Sequence, residues 1–180
     1  HTWGWNASSS PSANGRRTFV VGVAGPSGAG KTSLAQRLAK SLGSPLLPIG
    51  MDWYLMPKWM PRHPTYGKNW ETPEGVDFNR LGKELQHVMD EVANADRVPQ
   101  TLEVGGGSII RPGWAGRWLG WDPVVVVVEG FLLFYNEAVC EMLDARLWVE
   151  TDCDTCLLRR HKRGKASRKK EVHTNAEWFR

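Results

Sequence analysis

Phe19-Val20-Val21-Gly22-Val23 is apolar almost throughout, as a parallel strand buried on both faces should be, and predicts a first strand opening at Thr18. Leu34, Leu38 and Leu42, with Ala35 and Ala39 beside them, recur at helical spacing and predict a helix with one apolar face. After the turn Gly43-Ser44-Pro45, residues 46–50 read as a short second strand that delivers Met51-Asp52-Trp53-Tyr54 at its carboxyl end. Residues 55–75 carry Pro57, Pro61, Pro64 and Pro73 and little periodicity. Within them lie Trp59, His63, Tyr66 and Trp70, which predict a structured substrate loop rather than plain linker.

Regular patterning resumes at residues 77–94. Phe78, Leu81, Leu85, Val88, Met89 and Val92 fall on one helical face, and Asp77 is placed to cap the N-terminus. Residues 101–104 and 108–110 can pair as a hairpin around Gly105-Gly106-Gly107, which lacks the strand-to-helix context of a phosphate site and reads as a turn. Five valines, 124–128, form the clearest strand and end at Glu129-Gly130. A short helix over 136–143 and a fourth strand over 146–150 follow. Thr151 or Asp152 then caps a helix that runs through Leu157 and Leu158 into a basic stretch. Strands alternating with helices predict an α/β domain around a parallel sheet.

At 180 residues the chain has room for one such domain, expected over residues 18–180, after a lead-in of residues 1–17 rich in Ser, Gly and Asn. Hydrophobic content of 41% and charged content of 23% are those of a soluble globular protein. Three cysteines are too few for a disulfide framework, and no apolar run is long enough to span a bilayer or drive secretion. The cytosol is therefore the expected compartment, and a membrane partner is not expected. The net charge of +4 comes from residues 159–170, where Arg and Lys crowd together.

Chemistry enters between the first strand and the first helix. Gly25-Pro26-Ser27-Gly28-Ala29-Gly30-Lys31-Thr32 fits G-x-x-x-x-G-K-[ST] at every fixed position, with the strand before it and the helix after it that the motif requires. Its glycines let main chain approach a polyphosphate, and successive N–H groups and the helix N-terminus offer partial positive charge. Gly25, Ser27, Gly28, Ala29, Gly30, Lys31, Thr32 and Ser33 are thus the expected ATP-binding residues. Lys31 reaches the β- and γ-phosphates and Thr32 gives a hydroxyl to Mg²⁺. Asp52 closes the second strand, so it should lie beside this loop, because ligands sit beyond the carboxyl ends of parallel strands. Glu129, after the valine strand, holds the position that orients Mg²⁺ or water in such enzymes.

Two further motifs carry competing readings. Cys153-Asp154-Thr155-Cys156 has the spacing of a redox pair or half a zinc site, but no second pair exists and His161 and His173 follow irregularly, so neither chemistry is expected. The basic stretch Arg159-Arg160-His161-Lys162-Arg163 with Arg168-Lys169-Lys170 could be a solvated helix face, a nucleic-acid patch or a phosphate-binding lid. In a chain with a phosphate loop, the lid (159–180) is the favoured reading, since Arg suits bidentate phosphate contacts.

With these residues in place the chain resembles the nicotinamide riboside kinases and the neighbouring uridine-cytidine kinases. The resemblance runs from about Phe19 to Arg163. It is carried by Gly25–Thr32, by Met51-Asp52-Trp53-Tyr54, by Asn69-Trp70-Glu71-Thr72-Pro73-Glu74, by Val128-Glu129-Gly130-Phe131-Leu132-Leu133-Phe134, and by Thr151-Asp152-Cys153-Asp154-Thr155-Cys156-Leu157-Leu158-Arg159-Arg160 with Arg163. It implies a P-loop NTPase fold, three-layer α/β/α, and transfer of a phosphoryl group from ATP, with Mg²⁺, to the ribose 5′-hydroxyl of a nucleoside. Nicotinamide riboside is the first choice of acceptor and uridine or cytidine the second.

By that resemblance Asp52 is the catalytic base and a metal neighbour, Trp70 stacks on the base, Glu71 holds the ribose, and Tyr54 and Arg160 join the substrate site. Arg160 and Arg163 would neutralise charge on the transferring group beside Lys31, and Thr32, Asp52 and Glu129 form the metal set. Glu71 stands where the family usually has Asp. The family also continues past the lid with a last strand and helix, whereas this chain stops at Trp178-Phe179-Arg180, so those elements are expected to be missing. The rival from another class is a non-catalytic P-loop protein that binds nucleic acid or a partner through its basic stretch. Nucleic acid is not the favoured partner.

Overall fold

The computed structural model describes residues 17–65, 67–114 and 123–166, without the side chains of 163–166. Residues 1–16 of the expected lead-in, Tyr66, residues 115–122, the side chain of Arg163, the Arg168-Lys169-Lys170 cluster and the closing Trp178-Phe179-Arg180 lie outside the described residues.

In chain order the main elements are β1 (Thr18–Ala24), α1 (Lys31–Ser41), β2 (Ile49–Gly50), a 3₁₀ turn (Met51–Tyr54), β3 (Arg62–His63), β4 (Gly67–Lys68), a further 3₁₀ turn (Pro73–Gly75), then α2 (Phe78–Asn94). They continue with β5 (Glu103–Val104), β6 (Gly107–Ser108), β7 (Val124–Gly130), α3 (Glu137–Glu141), β8 (Ala145–Trp148) and α4 (Cys153–Ala166). Four strands form a parallel sheet in the order β2-β7-β1-β8, while β3-β4 and β5-β6 are separate antiparallel pairs. Register pairs Thr18 with Val124 and Ala24 with Gly130, so the phosphate loop and Glu129 leave the sheet at the same edge. The expected α/β/α architecture is the observed one.

Alternation along β1 and β7 explains the layers. Val20, Val126 and Val128 face one side and pack with Leu81, Leu85, Val88 and Val92 of α2 and with Val139 of α3. Val21, Val23 and Val127 face the other side, against Ala35 and Ala39 of α1. Side chains of successive strand residues point to opposite faces, so an all-valine strand serves two cores at once.

Local details depart from the sequence reading. The buried stripe of α1 is Lys31, Ala35 and Ala39, while Leu34 and Leu42 are exposed. Small residues let the helix lie close to the sheet, and the leucines flank that contact. The second strand is Ile49–Gly50 alone, not 46–50. Leu46 instead bridges Ile110 in antiparallel fashion, and the Leu47 N–H donates to the Ile109 carbonyl. Pro48, which has no N–H to give, ends that pairing before the sheet begins.

The expected hairpin forms with other bounds: its strands are 103–104 and 107–108, so Gly107 pairs with Val104 and the turn is Gly105-Gly106 alone. Gly105 and Gly106 have φ of +64° and +89°, the left-handed values a two-residue hairpin turn needs. Asp77 caps α2 by accepting from the Arg80 N–H, and Asp152 rather than Thr151 caps α4 by accepting from the Thr155 N–H. Residues 55–75 are pinned at both ends: Leu55 bridges Val76, and the Met56 N–H donates to the Gly75 carbonyl. Among the described residues no helix is long and apolar enough to cross a membrane.

Candidate active site

The loop between β1 and α1 is closed by its own main chain, the Ala29 N–H donating to the Pro26 carbonyl at 3.0 Å. Lys31 is only 8% exposed, and its ammonium donates to the same carbonyl at 3.0 Å, so the charge is drawn across the mouth of the loop. Thr32, one residue on, donates its hydroxyl to Glu129 Oε1 at 2.9 Å. Two of the three expected metal residues therefore meet, although they lie 97 residues apart in the chain.

Helix α4 packs directly on this loop. Gly28 has φ of +93°, and a Cβ there would lie 2.7 Å from the Cys156 carbonyl oxygen. Arg159 donates through Nη1 to the Gly28 carbonyl at 3.2 Å and the Ala29 carbonyl at 3.0 Å. Arg160, the next residue, pairs with Glu71 at 2.7 Å, and the two side chains are 24% and 30% exposed. Substrate loop and lid helix are thereby tied across the opening.

The result is a cleft of about 720 Å³ lined by residues 27–33, Asp52, Trp70, Glu71, Glu129, Phe131, Arg159, Arg160 and Lys162. That volume suits a small-molecule ligand. Trp70 is half exposed and Asp52 is exposed. Of the residues expected from sequence, Ser27 to Ser33, Asp52, Trp70, Glu71, Glu129 and Arg160 are brought together. Gly25 backs the loop, where a Cβ would meet the Val149 carbonyl oxygen at 2.4 Å.

Tyr54 is the correction. Its side chain is 1% exposed in the main core, and its hydroxyl donates to Glu84 Oε2 at 2.8 Å, so it does not reach the cleft. A one-turn 3₁₀ helix can expose Asp52 only by turning other residues inward, and Met51 and Tyr54 are the ones it buries. Burial and the hydrogen bond to Glu84 push the Tyr54 hydroxyl far above the ordinary tyrosine range. Trp59 and His63, the other described aromatics of the substrate loop, do not line the cleft.

Arg159 is the residue that the sequence reading left without a role. Cys156 is buried against the loop, and the face it marks returns at i+3 and i+4, which are Arg159 and Arg160. Cys153, by contrast, is exposed.

Glu84 holds the frame behind Asp52. It accepts from the Tyr54 hydroxyl, from the Gly105 N–H at 2.7 Å and from Arg80 Nε at 2.7 Å. Burial pushes its carboxyl up, but these three donors outweigh that and hold it below the usual glutamate range. A depressed folded-state value gives stability that is complete above the unfolded value near pH 4.3 and is lost as pH falls through the folded one. Thermal melts from pH 7 to pH 3 should therefore show a shallower acid limb for Glu84→Gln than for the wild type. Parallel limbs would remove Glu84 from the acid response.

No protein-family model matches the chain. Individual proteins do. A uridine kinase of Schizosaccharomyces pombe is 28% identical over 158 residues, covering 81% of this chain and 31% of that protein. A nicotinamide riboside kinase of Eremothecium gossypii is 30% identical over 162 residues, covering 83% of this chain and 65% of that protein. A uridine kinase of Halobacterium salinarum is 27% identical over 157 residues, covering 86% and 66%. The chain is similar to the uridine kinases and nicotinamide riboside kinases. It spans under a third of the S. pombe relative and just under two thirds of the other two. Among solved structures, a putative fructose transport system kinase from Silicibacter sp. TM1040 superposes with a TM-score of 0.52 at 21% identity, over 86% of this chain and 75% of that one, and shares the fold. In this riboside-kinase-like chain the cleft between phosphate loop, Asp52 and the 69–74 motif is the candidate active site.

Proposed function

We propose that the chain transfers the γ-phosphoryl group of ATP to the 5′-hydroxyl of a ribonucleoside, with nicotinamide riboside as the preferred acceptor. The observation that carries this reading is a single cleft shared by the phosphate loop, the Thr32–Glu129 pair, the exposed carboxylate of Asp52 and the Trp70–Glu71 pair. A hydrolase or switch needs only the first two. The rest make room for an alcohol.

In this reading the loop amides and Lys31 hold the β- and γ-phosphates, and Arg160 and Arg163 offset charge on the group in transit. Asp52 accepts the hydroxyl proton. Thr32 and Glu129 present oxygen atoms alone, which suits Mg²⁺, an ion that keeps several waters and is held jointly by one or two carboxylates and the phosphates. When bound, Mg²⁺ would neutralise the phosphate charge. Glu71 must exchange Arg160 for the ribose hydroxyls, so the ion pair opens as the acceptor enters. The half-exposed indole of Trp70 beside the Glu71 carboxylate favours a flat, positively charged ring, which is what nicotinamide riboside carries.

Uridine or cytidine is the second reading, supported by the names of two relatives. A partner-binding protein without catalysis is the third. It would need the basic residues free for a nucleic acid, whereas Arg159 is committed to loop carbonyls. An ADP-release screen with Mg²⁺ and ATP over nicotinamide riboside, uridine, cytidine and adenosine tests all three. Fastest turnover with nicotinamide riboside is the expected outcome. Fastest turnover with a pyrimidine nucleoside would replace the acceptor. No ADP release with any of them, together with RNA binding that falls steeply as salt rises, would favour the third reading.

A further inference from the structure

A second cavity, of about 830 Å³, lies on the other side of Asp52 and shares Thr32, Asp52 and Glu129 with the cleft. The transfer reaction above uses those three residues and none of the cavity's others. One wall is the exposed flank of α1, where Thr32, Gln36 and Lys40 follow at fourfold spacing with Arg37 beside them. Another wall is the glycine hairpin between β5 and β6, and Trp53 and Arg111 line the cavity as well.

Both walls are built rather than incidental. A Cβ on Gly105 would lie 2.5 Å from the Trp53 ring, so the glycine lets the hairpin back the indole, which remains 43% exposed. Glu84 fixes that contact from behind by accepting from the Gly105 N–H and from Tyr54, the residue after Trp53. Arg111 is held by Nε and Nη2 bonds to the carbonyls of Ser44 and Leu46. Charge is divided along the cavity: its two carboxylates, Asp52 and Glu129, sit at the end shared with the cleft, and its cations are Arg37, Lys40 and Arg111.

We propose that this cavity binds a nucleoside monophosphate, with the base against Trp53 and the phosphate on Arg37 and Lys40 of α1. A flat indole platform takes a planar base, and guanidinium groups favour phosphate. The volume is that of a small-molecule site. The inference does not depend on which alcohol the cleft phosphorylates, or on catalysis at all.

Calorimetric titration of the protein saturated with Mg²⁺ and ADP tests it, with uridine monophosphate and uridine as the two probes. The monophosphate should bind about tenfold or more tightly than the nucleoside, and Arg37→Gln/Lys40→Gln should erase roughly that difference. Both substitutions are on the helix surface, and circular dichroism checks that the double variant is folded. Lys31→Ala, titrated without ADP, should bind the monophosphate as the wild type does, because the phosphate loop is not the site. No heat from the monophosphate at millimolar concentration would overturn the proposal. So would equal binding of the two probes, binding unchanged in the double variant, or binding lost with Lys31→Ala.

Discussion

Asp52→Asn should lower phosphoryl transfer by about two to four orders of magnitude, the usual contribution of a positioned general base. Binding of Mg²⁺ and ATP should change little, because in the proposed reading the loop main chain, Lys31 and Thr32 hold the nucleotide without Asp52. The two effects separate because Asp52 lies outside the loop, on the turn after β2, yet lines the same cleft. Asn keeps the size of the side chain and removes its capacity to take a proton. Turnover by stopped assay and nucleotide affinity by calorimetry measure the two quantities independently. Retained turnover would remove Asp52 as the base, while lost ATP binding would make it part of the nucleotide site.

Gly28→Ala should be a highly damaging small change in the loop, and the one that reads the packing of α4 on it. Its backbone is in the left-handed region, and the added methyl would stand 2.7 Å from the Cys156 carbonyl oxygen, an atom of the α4 main chain. Strain of that kind costs about 1–3 kcal/mol, and α4 must also shift, taking with it the Arg159 bond to the Gly28 carbonyl. Stability and ATP affinity should fall together. Gly82→Ala is the matched control: Gly82 lies inside α2 with open space around it, where alanine should stabilise by roughly 0.5–1 kcal/mol. Urea midpoints with and without Mg²⁺ and ATP separate the two. Equal behaviour of the two variants would mean that α4 does not rest on the loop.

The long-range frame was legible in the sequence because its signals are redundant. A strand of valines, an eight-residue phosphate motif and the i, i+4, i+7 leucine and valine face of α2 each require one environment, and each has it. What escaped was decided by competition between nearby segments. Residues 46–47 have strand character but pair with 109–110 instead of the sheet, and nothing local shows which partner wins. Tyr54 sits two residues from Asp52 in a motif that reads as one functional unit. A 3₁₀ turn sends them to opposite sides, and Glu84, 30 residues on, receives the hydroxyl. Arg159 was missed for a different reason. Its partners are main-chain carbonyls, which leave no mark in composition or motif.

The most direct measurement is mass spectrometry of nicotinamide riboside incubated with the protein, Mg²⁺ and ATP labelled with ¹⁸O in its γ-phosphate. The account predicts a riboside that gains one labelled phosphoryl group at its 5′ oxygen. Labelled inorganic phosphate released from ATP, with every riboside tested recovered unchanged, would contradict it.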